Sequence, residues 1–130
     1  MTSQPASRRQ QMLIWLLMFL SIGMYYVVVR LVQPTGAQEN PMLVRILLVM
    51  AVGLVGASFV VRSRLGAATE TAAHTARIQQ MRLIVALAFC EAAALCGVLV
   101  WFTTGWQYYY VFLLLGVVGQ LLHYPGGPEE

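Results

Sequence analysis

The stretch Leu83–Phe102, LIVALAFCEAAALCGVLVWF, is apolar over its whole length except at Glu91. A helix of this length, rising 1.5 Å per residue, covers the ~30 Å hydrocarbon layer of a bilayer. Its apolar residues form a block rather than a periodic face, which suits an element with apolar surroundings on every side. Three further runs share this character: Met12–Val32, Met42–Val61 and Trp106–Leu122. Together they predict an all-α fold, a four-helix transmembrane bundle of two hairpins, with residues 1–130 forming one integral membrane domain. Composition agrees. The chain is 59% hydrophobic and 10% charged, against about 45–50% and about 25% in soluble domains.

The placement of charge predicts orientation. Every basic residue is arginine, and there is neither Lys nor Asp. Arg8 and Arg9 precede the first run, while Arg62, Arg64, Arg77 and Arg82 flank or occupy the segment between the second and third. The positive-inside rule then puts both termini and the loop 62–82 in the cytoplasm, N-in and C-in. These six arginines are also the expected contacts to lipid headgroups. Arg30 and Arg45 fall at the opposite ends of their helices, where long side chains snorkel to the interface. The arginine bias and short loops point to a bacterial cytoplasmic (inner) membrane. A secretory signal is the competing reading of the N-terminus, with PTGA at Pro34–Ala37 as its cleavage site. The run after Arg8-Arg9 is too long for a signal core of ~7–15 residues.

The loop 62–82, RSRLGAATETAAHTARIQQMR, is rich in Ala, Glu, Gln, Met and Arg after Gly66. Those are helix formers, so helix three is expected to begin around Thr71–Thr75 and to project from the bilayer into the cytoplasm. Thr103-Thr104-Gly105 allows only a tight turn, which makes helices three and four antiparallel neighbours. Pro41 is placed to open helix two, where a missing N–H costs nothing.

Chemistry-bearing residues are few. Cys90 and Cys96 on one helix are about 120° and about 9 Å apart, which excludes an intrahelical disulfide and leaves two packing residues. His74 is expected to be solvated and His123 interfacial, with no shared metal. The chain has no GxSxG, P-loop, HExxH, CxxC or CxxCH, so no enzyme, cofactor or metal centre is expected. Nor does anything call for nucleic acid or a small-molecule substrate. The expected partners are the lipid bilayer and either further copies of the chain, as a homo-oligomer, or a larger membrane complex. Helices in lipid meet through small residues, and the candidates are Gly53, Gly56, Ala57, Ala93, Gly97 and Gly116.

Glu91 is the exception that bears on function. It lies roughly 13 Å along helix three, where a charge costs about 2.5–3.5 kcal/mol. The expectation is a protonated side chain that faces another helix. Ser58 on helix two is the candidate partner at an ion or proton site; Ser21, the tyrosines of helix one, Gln120 and Tyr108–Tyr110 are further donors. The stretch Met81–Val100, MRLIVALAFCEAAALCGVLV, locally resembles the carboxylate helix of rotary ATPase proteolipid (c) subunits. That family carries a run of the type A-L-x-E-A-x-x-x-x-G-L-V. Ala88, Glu91, Ala92, Gly97 and Val100 fall in or near register with it, Phe89 stands for the leucine, and Val98-Leu99 reverses the Leu-Val order. The family's Arg-Gln-Pro loop is absent, and helix four carries Gln120 in place of a second carboxylate. For Glu91 the resemblance implies proton or sodium exchange on a ring-forming hairpin. Two functions follow as expectations. One is a structural, accessory or self-assembling subunit with Glu91 as a neutral interhelical contact. The other is a proteolipid-like exchanging subunit that works through Glu91.

Overall fold

The computed structural model of the protein describes residues 8–64 and 72–125. Among them the chain forms four helices: α1 (Arg8–Leu31), α2 (Pro41–Arg64), α3 (Ala72–Thr104) and α4 (Tyr110–Leu122). Three, α1, α2 and the Arg77–Thr104 part of α3, are long and apolar enough to cross a membrane.

Local sequence explains the boundaries. Pro41 opens α2, and the Asn40 side chain caps it, its Oδ1 accepting the Leu43 N–H at 3.0 Å. α3 is described from Ala72, the residues before it lying outside the described ones, and runs unbroken for 33 residues, about 50 Å. It stops because Gly105 takes φ +65°, a conformation that costs any residue with a Cβ. The Thr104 hydroxyl donates to Val100 O at 2.7 Å and accepts the Trp106 N–H at 3.3 Å, closing the turn.

The fourth helix departs from expectation. It begins at Tyr110 rather than Trp106 and has 13 residues, a rise of about 20 Å. Trp106–Tyr109 are spent on turns, with Tyr109 N–H bonded to Trp106 O at 3.3 Å. The aromatic rings hold this turn in place. Trp106 meets Phe112 edge-on at 6.2 Å, and Tyr109 tilts against Trp101 at 5.0 Å.

α3 is the centre of the molecule. It packs on α1, α2 and α4, and α4 also packs on both α1 and α2, whereas no Cα of α1 comes within 8 Å of one in α2. Half of the α3 span is buried, against 11% of α1 and 22% of α2. One cluster joins Val44, Leu47 and Ala51 of α2 to Ala93, Cys96 and Val100 of α3 and to Phe112. A second joins Ile22 and Val29 of α1 to Ala94, Tyr109 and Leu113. The outward surfaces of α1 and α2 carry Leu17, Leu20, Met24, Ile46, Val49 and Val52, all exposed. Such a surface is untenable in water and natural in hydrocarbon.

Glycines let α3 and α4 approach closely. A Cβ on Gly97 would lie 2.6 Å from Phe112 Cβ and 2.9 Å from Tyr109 O. One on Gly116 would lie 2.8 Å from Cys90 O, and one on Gly119 2.7 Å from Cys90 Sγ. Here glycine permits the close backbone approach that lipid-embedded helices use in place of a hydrophobic drive.

Candidate functional site

Two polar clusters interrupt the apolar interior, on opposite flanks of the α3–α4 pair. The first surrounds Glu91, which is half-buried. Its Oε1 is hydrogen-bonded to Ser21 Oγ of α1. The Ser21 hydroxyl also lies 2.7 Å from Met18 O, one turn back in its own helix. Gln120 of α4 is fully buried, and its Nε2 donates to that same Met18 carbonyl at 3.3 Å. Trp15 Nε1 returns the link, donating to Gln120 O at 2.7 Å. Ser21, Gln120 and Trp15 therefore fasten α1 to both members of the C-terminal hairpin. Gln120 Oε1 is buried and has no hydrogen-bond partner among the described residues.

The second cluster lies between α2 and the end of α4, around His123 and Ser58, both fully buried. Arg62 Nη1 stands 3.0 Å from His123 Nδ1, and Ser58 Oγ stands 2.9 Å from Nε2. A guanidinium can only donate, so Nδ1 must be the acceptor and Nε2 must carry the proton. His123 is thereby the neutral Nε2–H tautomer and donates to Ser58 Oγ. That hydroxyl passes its own proton to Val55 O at 2.5 Å and also accepts the Cys90 thiol at 3.8 Å. Phe59 covers the imidazole, ring to ring at 4.6 Å. Burial first, and then the adjacent Arg62 charge, push His123 from 6.5 down to about 4. Arg62 in addition donates to Leu122 O at 3.3 Å, a cation at a helix C-terminus where the dipole favours it.

The structure thus divides the residues proposed for one ion site. Glu91 joins Ser21, one of its expected donors, while Ser58 belongs to His123 on the other flank. His123, expected at the interface, is enclosed, and no local sequence signal points to Ser58, 65 positions away. Of the small residues, Ala93 is in the core, Gly97 and Gly116 sit on the α3–α4 seam, and Ala57 is half-buried. Gly53 and Gly56 are exposed, with nothing within 4 Å of a Cβ at either. Gly119, a small residue of α4 outside that set, makes one of the closest contacts. Arg8, Arg9, Arg62, Arg64 and Arg77 are exposed, and Arg82 is half-buried with its Nη1 on Arg62 O at 3.3 Å.

Cys90 and Cys96 are free and buried. No three of the described His, Cys, Asp or Glu residues gather as a metal site. A cleft of about 680 Å³ opens at the opposite end of the molecule between Glu39, Arg45, Trp106 and Tyr108. Comparison with protein-family models, with curated proteins and with solved structures finds no match to the chain.

Proposed function

We propose that the chain is an integral membrane subunit of structural, accessory or self-assembling type, whose Glu91 is a neutral acid holding α1 to α3. In this reading all four helices form a transmembrane bundle, N-in and C-in, in a bacterial inner membrane, with the start of α3 in the cytoplasm. The short α4 shares the bilayer with the turn Trp106–Tyr109, whose aromatic residues suit an interface. The arginines at the α1 start, the α2 end and the α3 start support the orientation. The uncovered apolar surfaces of α1 and α2 suit lipid or further subunits.

The carrying observation is the Ser21 hydroxyl, which has one proton and two oxygen neighbours, Met18 O and Glu91 Oε1. Directed at Met18 O, it leaves Ser21 Oγ as an acceptor. A protonated Glu91 then donates its carboxyl O–H to Ser21 Oγ, whereas with the Ser21 proton directed at Oε1 the carboxylate accepts it. Both arrangements satisfy the hydroxyl, and the neutral acid is favoured because it avoids the cost of a charge at this depth.

The experiment compares Glu91→Gln with Glu91→Leu in the purified, reconstituted chain. Glutamine keeps a donor and an acceptor, so stability and oligomeric distribution should match the original. Leucine should destabilise by about 0.6 kcal/mol and at most about 1.7 kcal/mol, the average and the maximum for hydrogen bonds between membrane helices. The exchange reading, a proteolipid-like unit for protons or sodium, makes the opposite forecast for glutamine. There, Glu91→Gln would abolish function, and hydrophobic carbodiimide labelling of Glu91 would titrate with pH and be blocked by Na⁺.

A further inference from the structure

Where α1 begins and α2 and α4 finish, Gln11, Arg62, Gln79, Arg82, Leu83 and Pro125 line a cleft of about 270 Å³. Its polar lining is dominated by donors. Two guanidiniums can only donate, and two side-chain amides add N–H groups. Both guanidiniums are held by neutral acceptors: Arg62 by His123 Nδ1 and Leu122 O, Arg82 by Arg62 O. The carboxylates among the described residues are elsewhere, Glu39 in the cleft at the other end and Glu91 on Ser21. Arg82 Nε is buried and has no acceptor among the described residues. Two like charges on one small cleft, with no described carboxylate beside them, suit an oxyanion.

We propose that this cleft binds a phosphate group, gripped by Arg62 and Arg82 and flanked by the Gln11 and Gln79 amides. The guanidinium fork matches phosphate oxygens two at a time. His123 acts as a positioning residue. As a neutral acceptor buried against Ser58, it holds Arg62 Nη1 at one angle and leaves the remaining guanidinium N–H groups for the ligand. The cleft lies where the apolar runs of α1, α2 and α3 meet polar sequence, the depth of lipid headgroups in the membrane reading above. An anionic phospholipid and free phosphate share the chemistry, and the source depends on that reading while the grip does not.

The test uses the full chain in two arms. In nanodiscs of phosphatidylcholine doped with phosphatidylglycerol, native mass spectrometry counts the lipid retained per chain. In detergent, inorganic phosphate is titrated and the unfolding midpoint recorded. Arg62→Gln/Arg82→Gln is set against Arg64→Gln/Arg77→Gln, which removes equal charge from exposed residues outside the cleft. Retained phosphatidylglycerol that weakens roughly tenfold in the first pair only supports the proposal with a lipid source. A phosphate-dependent rise in midpoint, lost in the first pair only, supports it with a soluble source. Arg82→Lys keeps the charge and the helix but loses the fork, so it guards against misfolding and should also bind more weakly. Equal losses in both pairs, or no response to either phosphate in the original chain, would overturn it.

Discussion

Gly116→Ala and Gly53→Ala add the same methyl group to two apolar helices, and their expected effects have opposite sign. At Gly116 the new Cβ would be 2.8 Å from Cys90 O and 2.9 Å from Ala94 Cβ. Neither neighbour is the far end of a flexible side chain, so α4 must back away from α3 by roughly half an ångström. Overpacking of this kind costs about 1–3 kcal/mol. The better helix propensity of alanine returns up to about 1 kcal/mol, for a net loss of about 1–2 kcal/mol. At Gly53 nothing lies within 4 Å, so only the propensity gain remains, between zero and about 1 kcal/mol of stabilisation. Gly119→Ala should fall between them, because its nearest neighbour is the Cys90 thiol, which can rotate. Reversible unfolding in mixed micelles, followed by circular dichroism at a dilution that keeps the chain monomeric, measures all three. Equal destabilisation at Gly53 and Gly116 would refute the assignment of the tight seam to α3–α4.

Two further outcomes follow from particular contacts. Gly105→Ala should cost about 1–2 kcal/mol, since its φ of +65° is strained for alanine, and Gly105→Asn should cost less; thermal midpoints distinguish them. His123 is held near 4 in the folded chain against 6.5 when exposed. As pH falls from 6.5 towards 4 the unfolded chain therefore takes up the proton first. Stability supplied by neutral His123 is complete above 6.5, declines through this window and changes no further below it. At about 1.4 kcal/mol per unit the loss is at most about 3 kcal/mol. It is read as the difference between the pH–stability curves of the original chain and His123→Gln. Parallel curves between these limits would contradict the buried Arg62–His123–Ser58 arrangement.

The elements were legible because hydropathy and helix breakers are local properties. The apolar blocks mark α1, α2 and α3, and Pro41 opens α2. The faces were less legible. A helix that is apolar all round carries no stripe to say which side is buried, so the small residues of α2 and of α4 look alike on paper. The structure uses Gly97, Gly116 and Gly119 and leaves Gly53 and Gly56 open. Trp106–Tyr109 misled for the opposite reason. Its residues are as apolar and aromatic as a helix start, but the left-handed Gly105 and the ring contacts around Phe112 commit them to a turn. Glu91 was readable as a residue seeking a partner helix, and Ser21 was among its candidates. The pairing of Ser58 with His123 was not, since only tertiary packing brings together the end of α2 and the end of α4.

The backbone separation of α1 and α2 bears on how the chain is made. A membrane protein leaves the ribosome from its N-terminus, so these two helices reach the bilayer before the segments that hold them. In the proposed transmembrane bundle each would wait, separately solvated by lipid, until α3 and α4 arrive between them. Assembly would then follow completion of the C-terminal hairpin, and a nascent chain interrupted after Arg64 would hold two helices whose backbones do not meet.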